Sequence, residues 1–276
     1  MIAIEVLQYD FMQRALVLAV LVGVTAPLVG IYLVQRGLSL IGDGLGHVAL
    51  TGVAVGLVTS RSPVITALVA AVLGAVAVEL VRVRGRTGGD VALAVLFYGG
   101  IAGGVVIASQ APPGTPVNLD AYLFGAITTT TDGDLATFAL LAAWVLVLTL
   151  GFRRALFAIS VDDEHARASG LPVVRLNLLL AVVTSVTVVV SMRVVGLLLI
   201  SALMVVPIAA AQLLGRSFRT TAIVGCAIGV LASVAGVVTS YYADTPSGGT
   251  IVLAAIAIFV LALGATALRS RLARAG

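Results

Sequence analysis

Long apolar runs separated by short polar breaks dominate this chain. A crossing of the hydrocarbon core takes about 20 apolar residues. Runs of that length fall near 14–34, 38–59, 63–81, 91–109, 134–152, 176–192, 194–214, 221–241 and 250–268. In lipid a single span must satisfy its own backbone hydrogen bonds, which a helix does. The pattern therefore predicts an all-α, polytopic membrane protein of about nine transmembrane helices, with residues 1–276 forming a single transmembrane domain. The least marked boundary lies within 176–214, where only Arg193 and Gly196 interrupt the run. Two spans are expected there, because one kinked helix would invert the side of every basic residue that follows.

Those basic residues orient the spans. One side collects Arg36, then Arg82, Arg84 and Arg86, then Arg153, Arg154, Arg167 and Arg175, then Arg216 and Arg219, then Arg269, Arg271 and Arg274. The other receives only Arg14, Arg61 and Arg193. Thirteen against three places the N-terminus outside and the C-terminus in the cytoplasm by the positive-inside rule. The turn formers in 110–133 then lie outside, with Ala121–Ile127 as a short interfacial helix. Glycines recur four apart at Gly42/Gly46, Gly52/Gly56, Gly99/Gly103, Gly100/Gly104 and Gly225/Gly229, a spacing that lets helix backbones approach closely in lipid. Pro207 removes a helix hydrogen bond inside its span.

Composition agrees and narrows the chemistry. The chain is 61% hydrophobic and 10% charged, with mean hydropathy +1.19, against about 25% charged in soluble domains. All sixteen basic residues are Arg. Without Lys there is no P-loop of the GKS or GKT type and no Schiff-base chemistry. The formal charge of +4 belongs to residues flanking apolar segments, so it signals topology and not nucleic acid. The lone Cys226 builds no disulfide framework. The first apolar run is long enough to span and lacks a small-residue cleavage pattern, so it reads as a span.

Two segments carry candidate chemistry. In Leu38–Thr59, LSLIGDGLGHVALTGVAVGLVT, the only ionisable residues are Asp43 and His47. Four residues is about one helical turn, so both fall on one face. An ionised Asp at this depth costs roughly 2.5–3.5 kcal/mol. Either the two satisfy each other structurally, or they mark an ion or substrate path, where a carboxylate beside an imidazole suits a divalent transition metal. Two ligands leave a coordination shell incomplete. The second segment is the cytoplasmic loop Arg153–Arg175, RRALFAISVDDEHARASGLPVVR. Ser160 ahead of Asp162, Asp163 and Glu164 starts a short helix. Arg167 falls in its last turn, Gly170 ends it and Pro172 stops it. Such a helix is either a docking element for a cytoplasmic partner or an ordinary loop helix, with His165 on its surface. Glu79 is expected to pair with Arg82 at three-residue spacing. Asp120, Asp132, Asp134 and Asp244, with Tyr241 and Tyr242, read as outer loop chemistry and interfacial anchors.

Five segments in order, RGLSLIGDGLGHVALTGVAVG, AYLFGAI, SVDDEHARASGLPV, VGLLLISALMVVPIAAAQLL and SYYADTPSGGTIVL, resemble the permease subunit of the metal-type ABC importers, which take up manganese, zinc or iron. The resemblance covers about residues 11 to 268. It implies a fold similar to the vitamin B12 and siderophore-type permeases, in a bacterial plasma membrane. It also implies a subunit that is not itself an enzyme, holds no permanent cofactor and carries a divalent metal ion as its cargo. Its partners would be a second copy of the permease, two cytoplasmic ABC ATPase subunits and an extracytoplasmic metal-binding protein. By the same resemblance Asp43 and His47 are metal ligands, and Asp162, Asp163, Glu164, Arg167, Gly170, Leu171 and Pro172 form the segment that couples to the ATPase. The chain departs from the family pattern at Gly44 and Gly46, where Ala and Ser are common, at Thr51, where Pro is common, and at Arg193, often Gln. An ATP-independent channel or secondary carrier would also hide an Asp and a His in a helix, but would need no coupling segment. An intramembrane metalloenzyme usually needs three protein ligands and a Glu base, a poor match to a chain with two His.

Overall fold

Every long apolar run folds as a helix. The computed structural model describes residues 9–83, 89–111, 122–123, 125, 131–215 and 217–275. In chain order the long helices are α1 (Asp10–Gln35), α2 (Ile41–Val58), α3 (Pro63–Val83), α4 (Gly89–Ala108) and α5 (Asp132–Gly151). Two short helices follow, α6 (Arg153–Val161) and α7 (Asp163–Ala168). The rest are α8 (Val173–Val195), α9 (Leu197–Leu214), α10 (Phe218–Ala243) and α11 (Ser247–Ala275). Among the described residues nine helices are long and apolar enough to cross a membrane, as the hydropathy pattern predicts.

Local chemistry sets the boundaries. At the doubtful junction Gly196 has φ 84, a conformation that favours glycine, and it separates α8 from α9, so two helices form. Gly125, also at positive φ, packs on this turn so closely that a Cβ would overlap the Val195–Gly196 peptide. Of the expected interfacial helix 121–127, Tyr122 and Leu123 are helical and most of the remainder lies outside the described residues. Capping boxes start α5 (Thr131 with Asp134) and α10 (Ser217 with Thr220), satisfying otherwise unpaired N–H groups. Arg14, read as flanking the first span, lies inside α1 and pairs with Asp132 at 3.1 Å, at the start of α5. Pro207 is buried in α9, which continues through it.

The segment between α5 and α8 differs from expectation. Residues 153–161 form a helix of their own, α6, and Ser160 lies inside it, its hydroxyl donating to the Leu156 carbonyl at 2.7 Å. The cap of the following helix is Asp162. An amphipathic period makes α6: Leu156, Ile159 and Ser160 are buried while Phe157 and Val161 are exposed. The end of α7 follows the sequence reading. Gly170 at φ +81 donates to the Arg167 carbonyl and Leu171 to the Ala166 carbonyl, the two bonds of a Schellman stop, and Pro172 follows.

In the packed bundle α2 lies between α3 and α4, and α1 lies against α9 and α10. The interior holds Met12, Leu18, Leu45, Phe138, Ile200 and Leu203, all fully buried. A Cβ on Gly52 would come within 2.5 Å of the Ala67 Cα, so the α2–α3 approach depends on this glycine. Gly99 faces open space instead. The outward face of α11 carries Leu253, Val260 and Leu261, as a lipid-facing surface requires. Three buried hydroxyls of α8 turn back on its own carbonyls, Thr184 to Leu180, Ser185 to Ala181 and Thr187 to Val183, whereas the buried Ser191 hydroxyl has no partner among the described residues.

Candidate functional site

The structure brings Asp43 and His47 together on one face of α2. Asp43 lies in the first turn, where the helix dipole favours a negative charge. Its Oδ1 is 3.9 Å from His47 Nε2, too far for a hydrogen bond. The side chains are 26% and 12% exposed respectively. One cleft of about 580 Å³ runs past Asp43 between Leu40, Leu199, Ser201 and Gly248, and a second of about 300 Å³ runs past it between Leu93, Ala94, Phe97 and Tyr98. Asp43 and Leu40 form the partition that both clefts share.

Neighbouring helices fix the imidazole. Phe97 of α4 meets the His47 ring edge-on with centroids 4.5 Å apart. A Cβ on Gly100 would lie 2.6 Å from the His47 carbonyl carbon, so α4 can seat against α2 at this level only with glycine there. Thr51 completes the clamp, its hydroxyl donating to the Gly100 carbonyl at 2.6 Å. A proline at position 51 offers no such bond, which gives this departure from the family pattern a structural role. Gly46 is filled from outside: a Cβ would collide with the Leu197 side chain, so a larger residue there requires Leu197 to move. The side chain of Arg193 lies outside the described residues.

This geometry fits a metal ion in part. Bonds of about 2.0–2.2 Å let an oxygen and a nitrogen on one ion lie about 3–4.3 Å apart, and the observed 3.9 Å is within that span. Among the described residues no three of His, Cys, Asp and Glu gather closely enough to complete a shell. Two groups escaped sequence reasoning. Ser201 lines the larger cleft with a buried hydroxyl that has no hydrogen-bond partner among the described residues, and Phe97 orients the imidazole. Nothing in LLLISALMVVP marks Ser201; only the fold carries α9 to this point.

The seven residues of the second segment form one compact element. Asp162 caps α7, accepting from the backbone N–H groups of Glu164 (2.9 Å) and His165 (3.0 Å). Glu164, His165 and Arg167 are exposed, as are Gly170 and Pro172, while Leu171 is half-buried. Asp163 points inward. Its Oδ2 accepts from Arg36 (3.3 Å), Arg82 (3.5 Å) and Asn177 (3.5 Å). The expected Glu79–Arg82 pair forms at 3.2 Å and belongs to the same cluster.

The cap makes α7 sensitive to acid. The N–H groups of His165 and Glu164 hold the Asp162 carboxyl below the ordinary carboxylate range. A group lowered in this way supports the helix fully above its unfolded pKa of about 3.9, and that support is lost as pH falls through the lower, folded value. Amide exchange at Glu164 and His165, corrected for intrinsic rates, is therefore expected to stay slow down to about pH 4 and to accelerate below it. In Asp162→Ala it is expected to be fast at every pH. Slow exchange persisting in that variant would contradict the capping role.

Among the described residues an acid and an imidazole lie among nine helices long and apolar enough to cross a membrane, beside two clefts, the form of a multi-pass membrane protein with a polar site at membrane depth. The sequence pattern of the ABC 3 transport family matches residues 8–266, and the chain belongs to that family, as the five segments indicated. It is similar to the manganese transport system membrane protein MntC of Halalkalibacterium halodurans, 32% identical over 258 residues, covering 94% of this chain and 88% of that protein. It is equally similar to the chelated iron transport system membrane protein YfeD of Yersinia pestis, 32% identical over 259 residues, covering 94% and 86%. Among solved structures it matches a chain of PsaBC from Streptococcus pneumoniae in complex with Fab, with TM-score 0.83 and 32% identity over 95% of each chain.

Proposed function

We propose that this chain is the permease of an ATP-driven importer that carries a divalent transition metal, manganese or iron before zinc, across the bacterial plasma membrane. The observation that carries the reading is the Asp43–His47 pair, spaced for one ion and bordered by clefts, in a chain whose relatives are manganese and iron transport proteins. Asp43 supplies charge and a hard oxygen, and His47 a neutral imidazole nitrogen. Water, backbone or a second copy of the chain supplies the remaining ligands. The site binds moderately, because an ion held too tightly would not leave.

ATP hydrolysis belongs to two separate cytoplasmic subunits, consistent with the missing P-loop. They meet the exposed face of the 153–175 segment, where Glu164, His165 and Arg167 are exposed beside Phe157 and Val161. An extracytoplasmic binding protein delivers the ion at the Arg-poor end. The termini lie outside (N) and inside (C), as the Arg distribution requires. Elemental analysis of cells lacking the chain tests the cargo. Cellular manganese or iron is expected to fall under limitation of that metal, and to recover when the gene is restored. Unchanged metal content would reject the reading.

A further inference from the structure

We infer that Asp163 is a positioning residue that ties α7 to the inner ends of α1, α3 and α8, and that it transmits movement instead of touching the ATPase. The inference rests on the functional reading above, in which α7 belongs to the coupling segment. Three adjacent acids start this helix, and the structure gives them different surroundings. Asp162 caps the helix and Glu164 faces outward, whereas Asp163, 37% exposed at the edge of the bundle, turns its carboxylate onto Arg36, Arg82 and Asn177.

A single oxygen of Asp163 joins three elements. Oδ2 accepts from Arg36, the residue that closes α1, from Arg82 in the last turn of α3, and from Asn177 near the start of α8. Arg36 also donates to Asn177 Oδ1 at 2.8 Å, and Glu79 takes a hydrogen bond from Arg82. Two guanidinium groups face two carboxylates, so the cluster is neutral as a whole and unbalanced if any member leaves. Arg36 is only 4% exposed, and Glu79 and Asn177 are buried. Rearranging such a cluster is discrete, because each charge must exchange one partner for another.

The cluster also has room to rearrange. Asp163 Oδ1 is buried and accepts no hydrogen bond from the described residues, leaving one acceptor open for a donor in another conformation. The elements it grips lead to the metal pair. α3 packs on α2 at Gly52, and α8 is bonded to α3 where Ser185 donates to the Ala71 carbonyl at 3.3 Å. A pull on α7 thus reaches α3 through charge pairs and α2 through close packing.

The test uses the assembled importer, with its ATPase and binding protein, in liposomes loaded with ATP. Metal uptake and ATP hydrolysis are measured together and expressed as metal moved per ATP, a ratio that mere loss of assembled complex would not change. Asp163→Asn is expected to co-purify with the ATPase and to lower this ratio at least fivefold, while Asp163→Glu restores part of it. Should Asp163→Asn fail to assemble, Arg82→Gln, which leaves the Arg36–Asp163 pair in place, is read the same way. A wild-type ratio in an assembled variant overturns the inference. Loss of ATPase co-purification in Asp163→Glu overturns it too, since that is the mark of a direct contact. A wild-type complex that moves no metal at all would instead reject the underlying functional reading.

Discussion

Asp43→Asn and His47→Ala are each expected to reduce manganese or iron accumulation to the level of cells lacking the chain, with membrane abundance unchanged. Asn keeps the shape of Asp and removes the charge that replaces hydration of a dication in low dielectric. Ala removes the only imidazole at the site. A site that binds moderately has little affinity to spare, so a loss of about 3 kcal/mol lowers occupancy more than a hundredfold. Abundance should hold because the two side chains are 3.9 Å apart and not hydrogen-bonded to each other, so removing one leaves no orphaned partner. Asn at position 43 also removes the roughly 2.5–3.5 kcal/mol cost of an intramembrane carboxylate. A purely structural pair predicts the reverse, with uptake falling only as far as the amount of folded protein.

Arg36→Met is expected to destabilise the chain by about 3–5 kcal/mol, the scale for removing one partner of a buried ion pair. The Arg36 side chain is 4% exposed and bonds both Asp163 and Asn177. Without it, Glu79 and Asp163 share the single cation Arg82 within the cluster. Thermal unfolding in detergent should then shift down by about 6 °C or more. Combining the change with Glu79→Gln restores charge balance and should recover part of the loss, a coupling that a double-mutant cycle measures. An unshifted unfolding midpoint in Arg36→Met would mean that the cluster contributes nothing to the fold.

The spans were legible because a lipid-crossing helix must be apolar over a fixed length, and that constraint writes itself directly into the sequence. Gly196 was legible as a boundary because a turn at φ 84 favours a residue without a Cβ. The Asp43–His47 face was legible from helical spacing alone. The partners of that face were not. Phe97, Gly100 and Ser201 reach it from α4 and α9, and helix-to-helix register depends on packing that no local pattern encodes. The inward turn of Asp163 was hidden for the same reason. Three consecutive acids look alike in sequence, and only the placement of Arg36, Arg82 and Asn177 separates them. Ser160 misled because a hydroxyl ahead of acids resembles a cap, whereas Asp162, nearer the helix, takes that position.

The most direct measurement is ATP-driven uptake of radioactive manganese by the purified importer in liposomes, comparing wild type with Asp43→Asn and His47→Ala at equal reconstituted amounts. The account predicts uptake by the wild-type complex alone, with both variants at the background of empty vesicles. Accumulation by either variant at the wild-type rate would contradict it.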